Sequence, residues 1–325
     1  MTAVIVSLFL VGYLFVASEH FTHVNKSAIA MLLGVAGWLL FMLDGHFTPD
    51  LFSKYVVYAG ELALFLLSTM SIVDVMHNNG CFDFLIPLLR HRNSARVLWG
   101  LVLMTFLLSA NLDNLTSTVM MLYIMHKVVL NQRQRMYVGC AIVIAANAGG
   151  TFTVIGDVTT LMLWGKGAIT PTEFSAALIL PVLVATVVPT ALIGRKLPPQ
   201  LDIVMPRVNY NGDDSILPLW QRAVLFIVGI GGLWFIPTFH RLTGLPPFVG
   251  ALCVLSIFGV VNEIINLRRT EFDIPIQRQL PRSLQFETIQ TIIFIVGIVM
   301  AVGVLNETGA LAVAAQWLDD YVHNV

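Results

Sequence analysis

The sequence predicts an all-α polytopic membrane protein, and three observations carry that prediction. Only 11% of its 325 residues are charged while 57% are hydrophobic, and the mean hydropathy is +0.82; soluble domains run near 25% charged, roughly twice as much. Apolar runs of spanning length recur from one end of the chain to the other. Between them lie two polar islands, 109–118 and 147–160, each holding one carboxylate among amides and hydroxyls. Helix is the expected spanning element, because hydrocarbon leaves every backbone polar group to be satisfied within the segment.

In chain order, the spans are expected at about 2–17, 27–43, 56–76, 173–194, 221–238, 246–265 and 288–305. The first run lacks a basic leader and a small-x-small cleavage site, so it reads as a span rather than a signal peptide. Residues 95–130 form two apolar arms of about 16 residues meeting at Asn111-Leu-Asp-Asn114. At 1.5 Å per residue each arm reaches roughly 24 Å, short of a hydrocarbon core of about 30 Å. Two short arms with a polar tip predict a re-entrant hairpin. Residues 136–164 are long enough to cross, yet Gly149-Gly150-Thr151 and Ile155-Gly156-Asp157 interrupt them. Glycine is a poor helix former, so a discontinuous helix is expected, with its break at Gly149, Gly150 and Gly156. Unwound backbone at that depth is tolerated only beside protein or a watery cavity.

Charge supports this layout. If the hairpin enters and leaves on one side, fifteen of the eighteen Lys and Arg residues share a face, and only Lys54, Lys166 and Arg241 fall opposite. The positive-inside rule makes the crowded face cytoplasmic and the amino terminus external. A net charge of −1 offers nucleic acid no footing. Cys81, Cys140 and Cys253 show no metal-type spacing and read as packing residues.

Residues 65–80 and 294–309 are alike: each is an apolar span ending in polar residues and a glycine, and each is followed by an apolar stretch. Basic-residue placement runs the first inward and the second outward. Similar units of opposite orientation characterise inverted-repeat transporters, whose sites form near midplane from discontinuous helices. The counterparts of the two polar islands would then fall past Val325, so the second repeat is expected to be truncated here. The expected divisions are scaffold helices at 1–55 and a first repeat at 56–194. A cytoplasmic linker at 195–220 and a further scaffold with the start of the second repeat at 221–325 complete them. A mixed-charge connector at 267–287 is also placed on the cytoplasmic side.

The islands carry the chemistry. An ionisable group at membrane depth costs roughly 2.5–3.5 kcal/mol on insertion scales, and a bound cation or proton offsets that cost. Hard cations prefer oxygen ligands. Asp113 and Asp157 would supply charge; Asn114, Thr116, Asn147, Thr159 and Thr160 would supply neutral oxygens. Carbonyls freed at the break would complete the shell. Burial disfavours an ionised carboxylate and a nearby cation favours it, so one group can hold a proton or Na⁺ in turn.

The same residues resemble the paired motifs of NhaD-type sodium/proton antiporters, in the wider ion-transporter superfamily. The resemblance rests on Ser109-Ala-Asn-Leu-Asp113-Asn114-Leu-Thr116 and on Asn147-Ala-Gly149-Gly150 through Gly156-Asp157-Val-Thr159-Thr160 to Trp164. Residues 19–30 and Asn306-Glu-Thr-Gly309 add to it, and it covers nearly the whole chain. It implies extrusion of Na⁺, and usually Li⁺, driven by H⁺ uptake, with no cofactor. It also implies a homodimer with a scaffold and a mobile transport unit, multi-pass in the cell inner membrane.

Plainer roles compete for each residue. Asp113 and Asp157 could cap helices, Asn147 could be an interhelical hydrogen-bond partner, and the three glycines could serve close packing. Asp74, His77 and His126 sit at span ends, where ordinary interfacial placement suffices. Two other functions use similar parts. An anion or carboxylate carrier of the same superfamily would favour helix amino termini and neutral donors, and two fixed carboxylates would repel its cargo unless they bound a coupling cation. An intramembrane aspartyl protease also needs two buried Asp residues. Its G-x-G-D element, however, would have Val154 in place of the first glycine.

Overall fold

A computed structural model of the chain describes residues 2–45, 47–82, 93–203, 217–267 and 286–321. Among these, thirteen helices follow one another: α1 (Thr2–Ala17), α2 (Glu19–Thr22), α3 (Lys26–Leu43), α4 (Pro49–Asn78), α5 (Ser94–Ser109), α6 (Asn114–Val128), α7 (Gln132–Phe152), α8 (Val158–Gly165), α9 (Pro171–Gly194), α10 (Leu219–Thr243), α11 (Pro247–Leu267), α12 (Phe286–Glu307) and α13 (Ala310–Tyr321). Outside the helices, pairing is limited to two isolated bridges among the described residues, Asn93 with Gln200 and Val129 with Ile203. Much of the predicted linker, the 267–287 connector, and Arg90, Arg92, Arg207, Arg268, Arg269, Arg278 and Arg282 lie outside the described residues.

Six described helices, α3, α4, α9, α10, α11 and α12, are long and apolar enough to cross a membrane. α9 shows why the setting is lipid. Leu180, Val184, Val188 and Leu192 all point outward, an apolar surface that water would not tolerate on a monomer. α9 also stays helical through Pro181 and Pro189, as spanning helices do when neighbours re-satisfy the freed backbone groups. α1, at 16 residues, is shorter than a full span.

The chain forms two compact units that do not follow chain order. One comprises residues 1–67 and 284–325; the other comprises 68–283. In the first unit α12 packs along α3, with α1 against both. Small residues set that contact. A Cβ on Gly297 would stand 2.6 Å from the Ala30 carbonyl carbon, and one on Gly34 would stand 3.0 Å from the Gly297 carbonyl oxygen. Backbones this close gain dispersion and carbonyl contacts, which drive helix association where lipid removes the hydrophobic difference. Trp38 fills the space beside them. Its indole N–H donates to the Met300 carbonyl at 3.1 Å, and the rings of Phe41, Phe52 and Tyr55 lie 5.1–5.8 Å away. At the far end of α12, Tyr55 donates to Glu307 at 2.6 Å and accepts from Asn306 at 3.0 Å.

In the second unit, the two arms α5 and α6 pack on each other and on α7, while α9 covers α7 and α5. α10 and α11 pair separately, and the end of α4 reaches α11 through buried amides: Asn79 donates to Asn262 at 3.1 Å. The two stretches read as alike in sequence end alike. α4 and α12 both stop at a glycine of positive φ, Gly80 at 68° and Gly309 at 74°. Their amides return to His77 and Asn306 respectively. Only glycine takes that backbone freely, which ends each helix sharply.

Candidate functional site

The site is built where the tip of the α5–α6 hairpin meets the interrupted helix. α5 ends at Ser109, where Asn111 and Asp113 interrupt the apolar sequence. α6 then starts with Asp113 as its cap: the carboxylate accepts from the Thr116 amide at 2.7 Å and from the Thr116 hydroxyl at 2.5 Å. The capping role read from the sequence is therefore present. It fixes the carboxylate at the positive end of a helix, where a negative charge is stabilised.

The break begins later than the glycines suggested. α7 continues through Gly149 and Gly150 to Phe152, and the irregular stretch is 153–157, so of the three glycines only Gly156 is in it. Packing is the reason. A Cβ on Gly149 would run into the Phe106 carbonyl oxygen of α5. One on Gly150 would stand 2.9 Å from the Gly156 oxygen and 3.1 Å from Asn114 Cβ, and one on Gly156 would stand 2.7 Å from the Gly150 oxygen and 2.8 Å from the Ser109 oxygen. These glycines bring hairpin tip, helix and break into backbone contact, which outweighs their low helix propensity. The carbonyls of Gly149 to Phe152 lie beyond the reach of their own helix's amides; that of Phe152 accepts the Ser175 hydroxyl at 2.9 Å.

Asp157 caps α8 by position, but its side chain makes no capping bond. Instead its Oδ2 accepts the Thr159 hydroxyl in a short contact. Thr160 is buried and turned away from the carboxylate: its hydroxyl donates to the Thr153 carbonyl at 3.0 Å and the Asp157 carbonyl at 2.9 Å, closing the break. Asn114 donates to Asn147 Oδ1 at 3.3 Å, and Asn147 donates to the Val143 carbonyl at 2.8 Å. Asn147 is thus the interhelical partner that the plainer reading proposed, and Asn114 keeps its own amide oxygen for another donor or cation.

Two residues absent from the predicted set hold these parts together. The buried Ser109 hydroxyl donates to the Ala146 carbonyl at 2.5 Å, and the Thr153 hydroxyl donates to the Ala110 carbonyl at 2.5 Å. Both lie within the polar islands, so island membership was the available signal. His126 stands against the Arg135 guanidinium at 2.9 Å and His77 lies edge-on to Tyr123; neither belongs to the tip. Asp74 is buried near the end of α4.

Chemically, the tip presents Asp113, Asn114 and Thr116, and the break presents Asp157, Thr159 and helix-end carbonyls. That donor set suits a small hard cation or a proton.

A family model described as citrate transporter matches residues 13–325. "Sodium/proton antiporter 2" of Arabidopsis thaliana is 31% identical over 98% of this chain and 75% of its own length. "Sodium/proton antiporter 1" of the same plant is 33% identical over 98% of this chain and 55% of its own length, so the chain spans about half of that relative. "Na(+)/H(+) antiporter NhaD" of Alkalimonas amylolytica is 27% identical over 97% of this chain and 70% of its own length.

Proposed function

This chain belongs to the NhaD-type family, among the transporters gathered under the citrate-transporter description, and on that premise we propose that it exchanges Na⁺ for H⁺ across a membrane. Asp113 and Asp157 hold cation or proton in turn. Asn114, Asn147, Thr116 and Thr159 supply neutral oxygens or orient the carboxylates, and Thr160 keeps the break shut. Li⁺ is carried as a second cation, no cofactor takes part, and two copies of the chain associate. The α5–α6 hairpin is re-entrant, the repeats are inverted, and the amino terminus faces outward from a cell inner membrane.

The single observation that supports this reading most is the hydrogen-bonding state of the two carboxylates. Both stand at helix starts, where an anion would otherwise bind, and each is held by a threonine rather than by a basic residue. A fixed negative charge bonded to a threonine rather than to a basic side chain is what a transported cation would complete. Proton flux in inverted vesicles, driven in turn by Na⁺, Li⁺ and K⁺, tests it. Na⁺-dependent flux is expected, and Asp157→Asn or Asp113→Asn is expected to abolish it without lowering membrane insertion. Retained flux in Asp157→Asn would remove that residue from the site.

The citrate-transporter description of the matching family supports a second reading, Na⁺-coupled carriage of a carboxylate. On that reading the same carboxylates hold the coupling ion. Currents that require an organic acid as well as Na⁺ would favour it over exchange.

A further inference from the structure

The two feet of the site-bearing hairpin are far from its tip, yet one short segment binds both. Residues 198–203, which follow α9, run past them. At the foot of α5, the Ser94 amide donates to the Pro199 carbonyl at 3.2 Å, the Ser94 hydroxyl donates to the Pro198 carbonyl, and Asn93 pairs with Gln200 as an antiparallel bridge. At the foot of α6, Val129 pairs with Ile203 and the Leu130 amide donates to the Asp202 carbonyl at 2.8 Å. The segment is also fastened to the first turn of α7. The Asp202 amide donates to Gln134 Oε1 at 2.9 Å, while Asp202 Oδ2 accepts from Gln134 Nε2 and Asn131 Nδ2, each at 3.4 Å. Gln134 and Leu201 are both buried. Asn131 is itself the cap of α7, accepting the Arg133 and Gln134 amides. Three helix ends thus converge on six residues, and Asp202 touches two of them.

From these bonds we infer that residues 198–203 are a fixed clasp on the feet of the hairpin, and that Asp202 is the positioning residue that keeps the Asp113 tip in register with Asn147 on α7. The mechanics are simple. A helical arm is stiff over 15 or 16 residues, so a rotation allowed at its foot becomes a displacement at its tip. The tip is joined to α7 by the 3.3 Å Asn114–Asn147 bond and the 2.5 Å Ser109–Ala146 bond, and displacement of ligands by a fraction of an ångström weakens a coordination shell. The clasp does not open when the site changes its exposure; hairpin, α7 and clasp keep their mutual geometry.

The inference deepens the exchange reading and rests on it for its activity arm. In a chain whose three native cysteines are replaced by alanine, Asn93→Cys with Gln200→Cys gives a pair on facing bridge positions. Such positions have Cα atoms about 4.5–5.5 Å apart, within disulfide reach. Oxidation is expected to leave Na⁺/H⁺ exchange intact; loss of exchange on oxidation, restored by reduction, means the clasp has to open and overturns the proposal. Asp202→Ala is expected to raise the Na⁺ concentration for half-maximal exchange about tenfold at nearly unchanged maximal rate, the size of effect expected from lost hydrogen bonds to a charged group. The disulfide in that variant is expected to restore the native value. An unchanged Na⁺ dependence, or one the disulfide does not rescue, overturns the role of Asp202. A readout free of transport accompanies these. Hydrogen exchange at the Ser94 and Leu130 amides is expected to be slow in the native chain and at least about tenfold faster in Asp202→Ala. If the unsubstituted chain shows no Na⁺-dependent flux, the exchange reading fails, and equal amide exchange in the two proteins alone then decides against the clasp.

Discussion

Asp113 engages both of its carboxylate oxygens with Thr116, whereas Asp157 engages one oxygen with the Thr159 hydroxyl and accepts no backbone capping bond from its helix. The two carboxylates are therefore not equivalent. Thr116→Val is expected to shift the Na⁺ dependence of flux less than Thr159→Val, because the Thr116 amide still holds Asp113; equal effects would contradict this ordering. The glycines separate into two kinds at the same scale. Gly156→Ala pushes a methyl group onto two backbone carbonyls that cannot yield, which costs about 1–3 kcal/mol and should lower the melting temperature in detergent. Gly165→Ala, where nothing stands within 4 Å, is the control and should melt as the native chain does. Both carboxylates and their threonines could be found in the sequence, since polar residues are rare enough there to be conspicuous. The coupling of Ser109 and Thr153 across the junction could not, because a hydroxyl's partner is set by tertiary contact.

Element by element, the apolar runs were the dependable signal. Six of the seven expected spans correspond to the membrane-length helices α3, α4, α9, α10, α11 and α12, with α4 starting at Pro49 rather than at 56; the first coincides with α1, which is shorter than a full span, and the two hairpin arms correspond to α5 and α6. The start of the break was displaced by about one helical turn. Intrinsic propensity placed the break across Gly149, Gly150 and Gly156, while contact with Phe106 and Asn114 holds the first two in helix and confines the irregular backbone to 153–157, where Gly156 lies. Propensity is a weak prior where neighbours pack this closely. The segment 198–203 read only as linker, for its order comes from bonds to residues 60–110 positions away, which no local pattern records. At this scale, Ser109→Ala with Thr153→Val should lower the melting temperature by the equivalent of about 2–3 kcal/mol, two net hydrogen bonds with their buried partners left unmet. A change smaller than that of Ser256→Ala, an exposed hydroxyl bonded within its own helix, would show that the tip is held by packing alone.

For the molecule as a whole, the first unit depends on a tight helix seam and one indole. Trp38→Ala should destabilise it by about 3–5 kcal/mol, the range for a buried aromatic truncation, and Gly297→Val should be worse tolerated than Gly60→Val, which opens onto empty space. Equal melting of the last two would mean that the α3–α12 contact is looser than described. The division into residues 1–67 with 284–325 and residues 68–283 was not legible, because chain order hides which distant helices share a surface. The tryptophans carry a practical corollary of that division. Trp38 in one unit and Trp164 in the other are buried, while Trp99, Trp220, Trp234 and Trp317 are exposed. Brominated lipid should therefore darken the outer indoles and leave one native fluorophore reporting from each half. Trp164 lies edge-on to the His240 imidazole, 5.2 Å away, and Trp38 among Phe41, Phe52 and Tyr55, so the two surviving signals come from unlike surroundings and give the protein two optical channels without any added dye.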